Sequence, residues 1–476
     1  MPETPSTPPA LGPARTQRRR AWDAAYALTL LFLTVLYVRP LYLAEQPALT
    51  DFGAQLIMAD AWTRYDEVPQ FAEYFVREER YLPALLPARF CALLYPWMSP
   101  TRALTLFTAL GMLNTVLGAF LLARAYDRSR WLVLFCLPGL WGGMLALGLL
   151  NYCGTYGLML ESAALGRLAA RDPRTRLLLG LAAVNVAAFF MHGLGYLLVV
   201  MLGGLSWLTS LPSLASLRRA RTWAGALALL PGALLWLSWW RGVEADPSTL
   251  GMSMSELLRD HASWRTPGAQ LEWLVHQGHD LLVDGTDTLL GVGLGCCWLA
   301  LLCADTGREV AGDGERQAAA PETRLGAHSL LVLVLALGIL MFALPATIRG
   351  TGINSRLVTP FLFLAALLPR ARPRDGWGAL PLALGVALIT AYGVHLGSSM
   401  VRFEAEELVP LRALVDRVPE GSAVDCLGVC DHRDAAVFVR RPLCSICNGM
   451  VQTRRDGFSG GASRSTPGTP SAIAPA

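Results

Sequence analysis

Long apolar runs, separated by short arginine-bearing turns, constrain this chain more than any other feature. They cover residues 22–42, 104–122, 131–150, 152–168, 177–190, 194–208, 222–240, 289–302, 329–346, 357–368 and 380–396. A helix needs about 20 apolar residues to cross a bilayer, and it satisfies its own backbone hydrogen bonds in lipid. We therefore predict an all-α, polytopic transmembrane helix bundle of about 11 spans.

The composition excludes several other classes of protein. Apolar residues make up 53% of the 476 residues and charged residues 16%, with a mean hydropathy of +0.41. Disordered chains, fibres, disulfide-dense miniproteins and most soluble enzymes do not have this composition. All 40 residues in the Lys+Arg count are arginine, which rules out Schiff-base, P-loop and general-base lysines. The net charge of +4 is scattered in short clusters and indicates no nucleic-acid partner.

Arginine clusters between the runs determine the predicted topology, because cytoplasmic loops carry the excess of positive charge. With the N-terminus inside, the basic turns that fall in the cytoplasm are 124–130, 166–176, 218–221, 305–324 and 369–374. The turns at 151, 192–193 and 349–356 then lie outside, as does the C-terminus. Arginines at both ends of 177–208 favour two crossings with a turn at His192 over one long helix.

The remaining regions are tails and two long outer loops. We predict a disordered cytoplasmic tail at 1–21, a membrane domain at 22–398, a small extracytoplasmic cysteine-containing tail at 399–456 and a disordered end at 457–476. The outer loops are 43–100 and 241–288. In the first loop, 51–62 and 71–80 are predicted to be amphipathic helices on the membrane surface. Its proline-interrupted run 81–98 is interpreted as re-entrant or interfacial.

Asp51 is the most informative polar residue, because it follows the first span where the chain re-enters structure on the outer face. One interpretation is a helix N-cap, since Asp before an apolar segment is a typical start signal. The other is a general base at the water–lipid boundary, which would deprotonate an acceptor hydroxyl. The local sequence leaves both interpretations open.

Other polar residues fall at the predicted outer corners. Arg349 and Arg356 bracket one outer turn, against the positive-inside bias, and their guanidinium groups suit phosphate oxygens. Asn151 and His192 lie at two further outer turns and could complete a pocket. Glu161 lies within a span, where a carboxylate is a functional hypothesis by default.

The cysteines and histidines raise two further hypotheses about the loops and the tail. The tail cysteines are Cys426, Cys430, Cys444 and Cys447. An extracytoplasmic tail favours disulfides between them, whereas a cytoplasmic tail would favour zinc. His276 and His279 are three residues apart in the second loop, a spacing that could hold a metal. We predict no metal site from these residues, and the sequence leaves a divalent cation open as a cofactor.

This arrangement resembles the GT-C superfamily of membrane glycosyltransferases, which use polyprenyl-phosphate-linked sugars. Asp51 falls where family members carry an acidic base soon after the first span, and Arg356 begins an R-x-x-x-P segment that ends at Pro360. The resemblance implies that Asp51 is the catalytic base and that Arg356 contacts the lipid phosphate. We predict that Arg349, Gln55, His192 and Asn151 also bind substrate or phosphate. The chain departs from the family in having Gln55 after Asp51, rather than a second acidic or histidine residue. It also lacks a clear D-x-D or H-x-E motif in this loop.

The leading hypothesis is an integral glycosyltransferase of the plasma (inner) membrane that moves a sugar from a polyprenyl-phosphate donor to an extracytoplasmic acceptor. Its predicted partners are the bilayer and the lipid-linked sugar. The alternatives are a transporter or lipid flippase with the same outward cavity, and a catalytically silent GT-C-like protein. Transporters often contain repeated halves around a midplane site, and no such repeat is evident here.

Overall fold

The computed structural model describes residues 13–75, 77, 83–245, 259–279, 281–310, 328–348, 351–370, 376–424, 437–438, 443–455 and 458–459. Helices dominate this part of the chain. The first ten are α1 (Pro13–Val38), α2 (Phe52–Thr63), α3 (Pro69–Tyr74), α4 (Leu86–Leu94), α5 (Pro100–Ala125), α6 (Gly143–Ala146), α7 (Leu150–Cys153), α8 (Thr155–Arg171), α9 (Thr175–Met191) and α10 (Gly193–Thr209). The others are α11 (Ala224–Leu227), α12 (Leu230–Ala245), α13 (Pro267–His279), α14 (Thr286–Val310), α15 (Ser329–Ala343), α16 (Val358–Ala366), α17 (Gly376–Phe403), α18 (Val409–Val415) and α19 (Leu443–Arg455).

Strand structure in the described residues consists of two-residue pairings and one isolated bridge between Leu282 and Phe438. Strand β1 (Ala262–Ser263) pairs antiparallel with β2 (Thr347–Ile348), which pairs antiparallel with β3 (Thr351–Gly352). Strand β4 (Ala423–Val424) pairs in parallel with β5 (Phe458–Ser459). The first of these sheets joins the second outer loop to the segment that leads into Arg356.

Four helical stretches in the described residues are long and apolar enough to cross a membrane. They are Arg20–Tyr42, Pro100–Ala125, Thr286–Ala304 and Gly378–Val415. Shorter apolar helical stretches are Arg130–Ala146, Thr175–Met191, Gly193–Thr209 and Ser329–Ala343. The chain is therefore an integral membrane protein of helical architecture, whereas the predicted count of about 11 spans is not confirmed.

The predicted continuous span at 131–150 is wrong. The chain forms two 3₁₀ helices, Arg130–Cys136 and Pro138–Trp141, followed by the short helices α6 and α7. Pro138 lacks an N–H donor and glycines follow it, so a regular helix does not continue. Nearly every side chain here is buried, and Trp141 donates to the Tyr37 carbonyl at 2.8 Å. Irregular backbone among membrane helices is stable only when protein surrounds it in this way.

The predicted break at His192 is confirmed. Helix α9 ends at Met191, and α10 begins at Gly193 and packs against it. The His192 backbone is extended, with φ −166° and ψ 131°, which interrupts the helical path. Residues 177–208 therefore form two helices.

Helix ends next to the basic turns meet at one end of the bundle. Arg167, near the end of α8, donates to the Ala125 carbonyl at 2.8 Å and to the Ser329 hydroxyl at 2.8 Å. Ala125 ends α5 and Ser329 begins α15. At the opposite end, Asn151 donates to the Ala84 carbonyl of the first loop at 2.8 Å. The turns that follow Ala125 and Arg167 therefore lie at the opposite end of α8 from the first loop.

The first loop folds against protein rather than along an open membrane surface. Helix α2 begins as predicted, but it is enclosed by α4, α5 and α19, and its buried residues occur on several faces. The second predicted helix, 71–80, is observed only as the end of α3, because residues 76 and 78–80 lie outside the described residues. Helix α4 has nine residues, too few to cross a bilayer, in agreement with a re-entrant or interfacial run.

The C-terminal tail packs on the first loop. Helix α19 crosses α2 so closely that a Cβ placed on Gly53 would lie 1.8 Å from the Ser445 carbonyl oxygen. Glu45, at the start of the loop, pairs with Arg454 of α19 and, at 2.9 Å, with Arg412 of α18. The loop and the tail therefore pack together at one end of the helix bundle.

This packing predicts a specific labelling pattern in intact cells. Cysteines introduced by Glu73→Cys and Glu420→Cys should react with a membrane-impermeant maleimide, because both positions are exposed on the first-loop side. Arg174→Cys, between α8 and α9, should react only after the cells are opened. Wild-type protein measures the background from native thiols. Labelling of Arg174→Cys in intact cells, with Glu420→Cys protected, would contradict the predicted orientation.

The tail cysteines are only partly within the described residues. Cys447 is buried and disulfide-bonded, whereas Cys91, Cys136, Cys153, Cys296 and Cys297 are free. Cys426 and Cys430 lie outside the described residues. The oxidising, extracytoplasmic location of the tail stays a prediction.

Candidate functional site

The broken segment after Trp141 positions Asp51. The backbone N–H of Thr50 donates to Ala146 O at 2.8 Å, and that of Asp51 donates to Leu147 O at 3.0 Å. Gly148 adopts a φ of +77°, and a Cβ there would lie 2.6 Å from the Asp51 nitrogen. A glycine is thus required both by the left-handed backbone and by the close approach. The start of α2 is held rigidly against residues 146–148.

Asp51 occupies the N-cap position of α2, but its side chain does not cap the helix. Its backbone has ψ 11°, far from the extended conformation of most N-caps, and no capping hydrogen bond forms from the carboxylate. Among the described residues, the Asp51 carboxylate has no hydrogen-bond or ion-pair partner. Burial of this half-buried group raises the pKa of the Asp51 carboxyl. Gln55 lies one turn further along α2 and is also half-buried.

Tyr152 and Arg356 form the second part of the site. The Tyr152 hydroxyl donates to the Arg356 carbonyl oxygen at 2.6 Å, and the Arg356 guanidinium lies 5.6 Å from the centre of the Tyr152 ring. Arg356 is only 9% exposed, and its Nε has no hydrogen-bond partner among the described residues. Burial lowers the pKa of Arg356, because a charged group in a low dielectric is unfavourable without an anion.

His192 completes this cluster. Its Nδ1 accepts the Gly195 backbone N–H at 3.2 Å, as an N-cap of α10, and its Nε2 lies 3.3 Å from Arg356 Nη1. Its ring also meets the edge of Tyr152, with 5.3 Å between centres. Burial and the Arg356 charge lower the pKa of His192 to about 3, so the imidazole is neutral.

The two nitrogens of His192 therefore both face N–H donors. A neutral imidazole has one acceptor nitrogen and one N–H. If Nδ1 accepts from Gly195, Nε2 carries the proton and points it at the Arg356 guanidinium, which is also a donor. The cluster thus presents more donors than acceptors, together with a buried positive charge. An anion with several oxygens matches this arrangement.

Two amide side chains border the cluster. Asn151 donates to Ala84, while its Oδ1 is buried and has no partner among the described residues. Asn354, two residues before Arg356, donates to Gln270 Oε1 of α13 at 2.8 Å, and both side chains are buried. The second loop thus packs directly against the turn that carries Arg356.

The structure brings the predicted site residues together only in part. His192 and Arg356 are in contact, and Asn151 is the neighbour of Tyr152. Asp51 does not touch Arg356; both contact the segment 146–152, one near each end. Arg349 lies outside the described residues.

The roles of Gly148 and Gln270 were not predicted from the sequence. No local pattern marks them, because each acts through a partner that is distant in the chain. Glu161 lies within α8, between Tyr156 and Arg167, and is buried. The described residues contain no group of three or more His, Cys, Asp or Glu side chains that could hold a metal ion. His276 is exposed on α13, and the His279 side chain lies outside the described residues.

The fold and this cluster define a polytopic helical membrane protein with a donor-rich polar cluster at the first-loop end of the bundle. No family model and no curated protein matches the chain. Among solved structures it is similar to the crystal structure of ArnT from Cupriavidus metallidurans bound to undecaprenyl phosphate, with 14% sequence identity and a TM-score of 0.48. The match covers 91% of this chain and 76% of that one. Similarity at this level is a distant architectural likeness and bears on neither activity nor site residues.

Proposed function

We propose that this protein is a membrane glycosyltransferase that moves a sugar from a polyprenyl-phosphate donor to an extracytoplasmic acceptor. The observation that carries the proposal is the donor surplus at His192 and Arg356, which contact Tyr152 at one end of the segment 146–152, while the unpaired Asp51 carboxylate lies near the other end. An anion site and a separate free base are the two parts that such a transfer requires.

The phosphate of the donor would lie between His192 Nε2–H and the Arg356 guanidinium. One phosphate oxygen accepts from both groups, which removes the donor–donor contact and neutralises the buried charge. The same groups stabilise the leaving phosphate as negative charge develops on it in the transition state. The aromatic face of Tyr152 supports the guanidinium, and its hydroxyl bonds the Arg356 backbone.

Asp51 would act on the acceptor. As the acceptor oxygen bonds to the anomeric carbon of the sugar, the bond from that carbon to the phosphate oxygen breaks and the acceptor proton passes to the carboxylate. A base works best when its pKa lies near the working pH, and burial raises the pKa of Asp51 in that direction. The absence of a capping bond leaves the carboxylate oxygens available.

A binding comparison tests the anion site without knowledge of the acceptor. Undecaprenyl phosphate and undecaprenol have the same chain and differ only in the phosphate. We expect purified protein in nanodiscs to bind the phosphate at least about tenfold more tightly, as charge-assisted hydrogen bonds predict. His192→Ala should reduce this preference. Equal binding of the two lipids by the wild-type protein would overturn the proposal.

A further inference from the structure

Helix α2 begins with a backbone N–H group that requires an acceptor from outside the helix. Ala54 is the third residue of α2, and its N–H has no intrahelical partner. The N-cap side chain usually supplies that acceptor. Here the N-cap residue is Asp51, and it does not do so.

Ser445 of the C-terminal helix supplies the acceptor instead. Its Oγ accepts the Ala54 N–H at 2.9 Å, although the two residues are 391 positions apart. The contact depends on close packing, since Gly53 and Gly449 face each other where α2 and α19 cross, and a Cβ on Gly449 would lie 3.0 Å from the Gly53 Cα. Further along, Gln452 Nε2 donates to Ile57 O at 3.0 Å and to Asp60 Oδ2 at 3.1 Å. Helix α19 is thus bonded to α2 at two places.

The backbone at Asp51 completes the arrangement. The Asp51 N–H donates to Leu147 O and the residue has a ψ of 11°, whereas a capping side chain generally has an extended backbone. The Asp51 carboxylate makes no capping bond, and Ser445 satisfies the Ala54 N–H instead.

We propose that Ser445 is a positioning residue, which caps α2 in place of Asp51 so that the Asp51 carboxylate remains free to act as a base. This inference rests on the proposed function. It also assigns the C-terminal tail a role at the site, since the tail helix is the element that brings Ser445 to Ala54.

The test is Ser445→Ala, with Ser445→Thr as the conservative variant. Without the Ser445 hydroxyl, the Ala54 N–H becomes available to the Asp51 carboxylate, which lies three residues earlier in the chain. We expect kcat for sugar transfer to fall about fivefold to tenfold with little change in the donor KM, in line with the value of one helix cap. A hydrogen bond to the charged carboxylate lowers its pKa, so the acidic limb of the kcat–pH profile should move to lower pH. Ser445→Thr should restore both the rate and the profile.

Thr453→Ala is the matched control on the same helix. The Thr453 hydroxyl donates to Gly449 O within α19 and makes no bond to α2, so its removal should leave the pH profile in place. A fall in kcat for Ser445→Ala without a shift of the acidic limb would overturn the inference, since a purely structural role predicts that result. An unchanged kcat and profile would overturn it as well. After either of these outcomes, a loss of transfer in Asp51→Asn would leave the proposed function intact. Full transfer activity in Asp51→Asn would instead remove the basis of the proposed function and of the Ser445 inference.

Discussion

Asp51→Asn is expected to lower kcat for sugar transfer by about 10²-fold or more, because a general base contributes about 10²- to 10⁴-fold. The change keeps the size and hydrogen-bonding character of the side chain and removes its ability to take a proton. The assay follows label from a polyprenyl-phosphate-linked sugar into endogenous acceptors in membranes, with the amount of each variant measured. Undiminished transfer would remove Asp51 from the mechanism.

The stability of the same variant provides the control. Burial raises the pKa of Asp51 above its value in the unfolded chain. The folded state then holds its proton more tightly, so the stability due to this group is present below the unfolded pKa and is lost as the pH rises through the folded pKa. At neutral pH the ionised group is unfavourable to folding. Asp51→Asn should therefore unfold at the same temperature as the wild type or a higher one, which separates loss of chemistry from loss of fold.

Arg356→Lys is expected to reduce kcat/KM for the lipid-linked donor by about tenfold or more, because lysine keeps the charge but loses the bidentate fork. It also loses the planar contact with Tyr152. The amount of folded protein should remain close to that of the wild type, since the Tyr152 hydroxyl bonds the backbone at this position rather than the side chain. The measurement is donor dependence in the same transfer assay.

Arg402→Lys is the matched control for that variant. Arg402 is exposed and pairs with Glu406, four residues further along the chain, a contact that contributes little at a surface. It should leave donor dependence unchanged. If Arg356→Lys used the donor as efficiently as the wild type, the proposed bidentate contact between Arg356 and the phosphate would be contradicted.

Several features of the fold were predictable because their signals are local. Arginines at both ends of 177–208 required an even number of crossings, and the chain does break at His192. The prolines within 81–98 indicated that this run is too interrupted to span, and α4 is short. At 131–150 the prediction gave more weight to the apolar composition than to Pro138 and the glycines after it, and the predicted helix was wrong. Those residues were the available signal, since they interrupt a helix whatever the composition around them.

The sequence by itself determined the helical membrane architecture, the alternation of basic and non-basic ends, and Asp51 as a carboxylate at the start of a helix after the first span. These depend on apolar length, on charge and on residue type, each of which is read within a few neighbours. Only the tertiary structure decided what Asp51 is free to do. A capping residue and a free base have the same local sequence, and the difference lies in Ser445, 391 positions from Ala54. Likewise, Arg356 and His192 form a donor-rich pair only because Tyr152 and the Gly195 N–H hold them there. Contacts between distant residues depend on how the helices pack, and no local pattern records that packing.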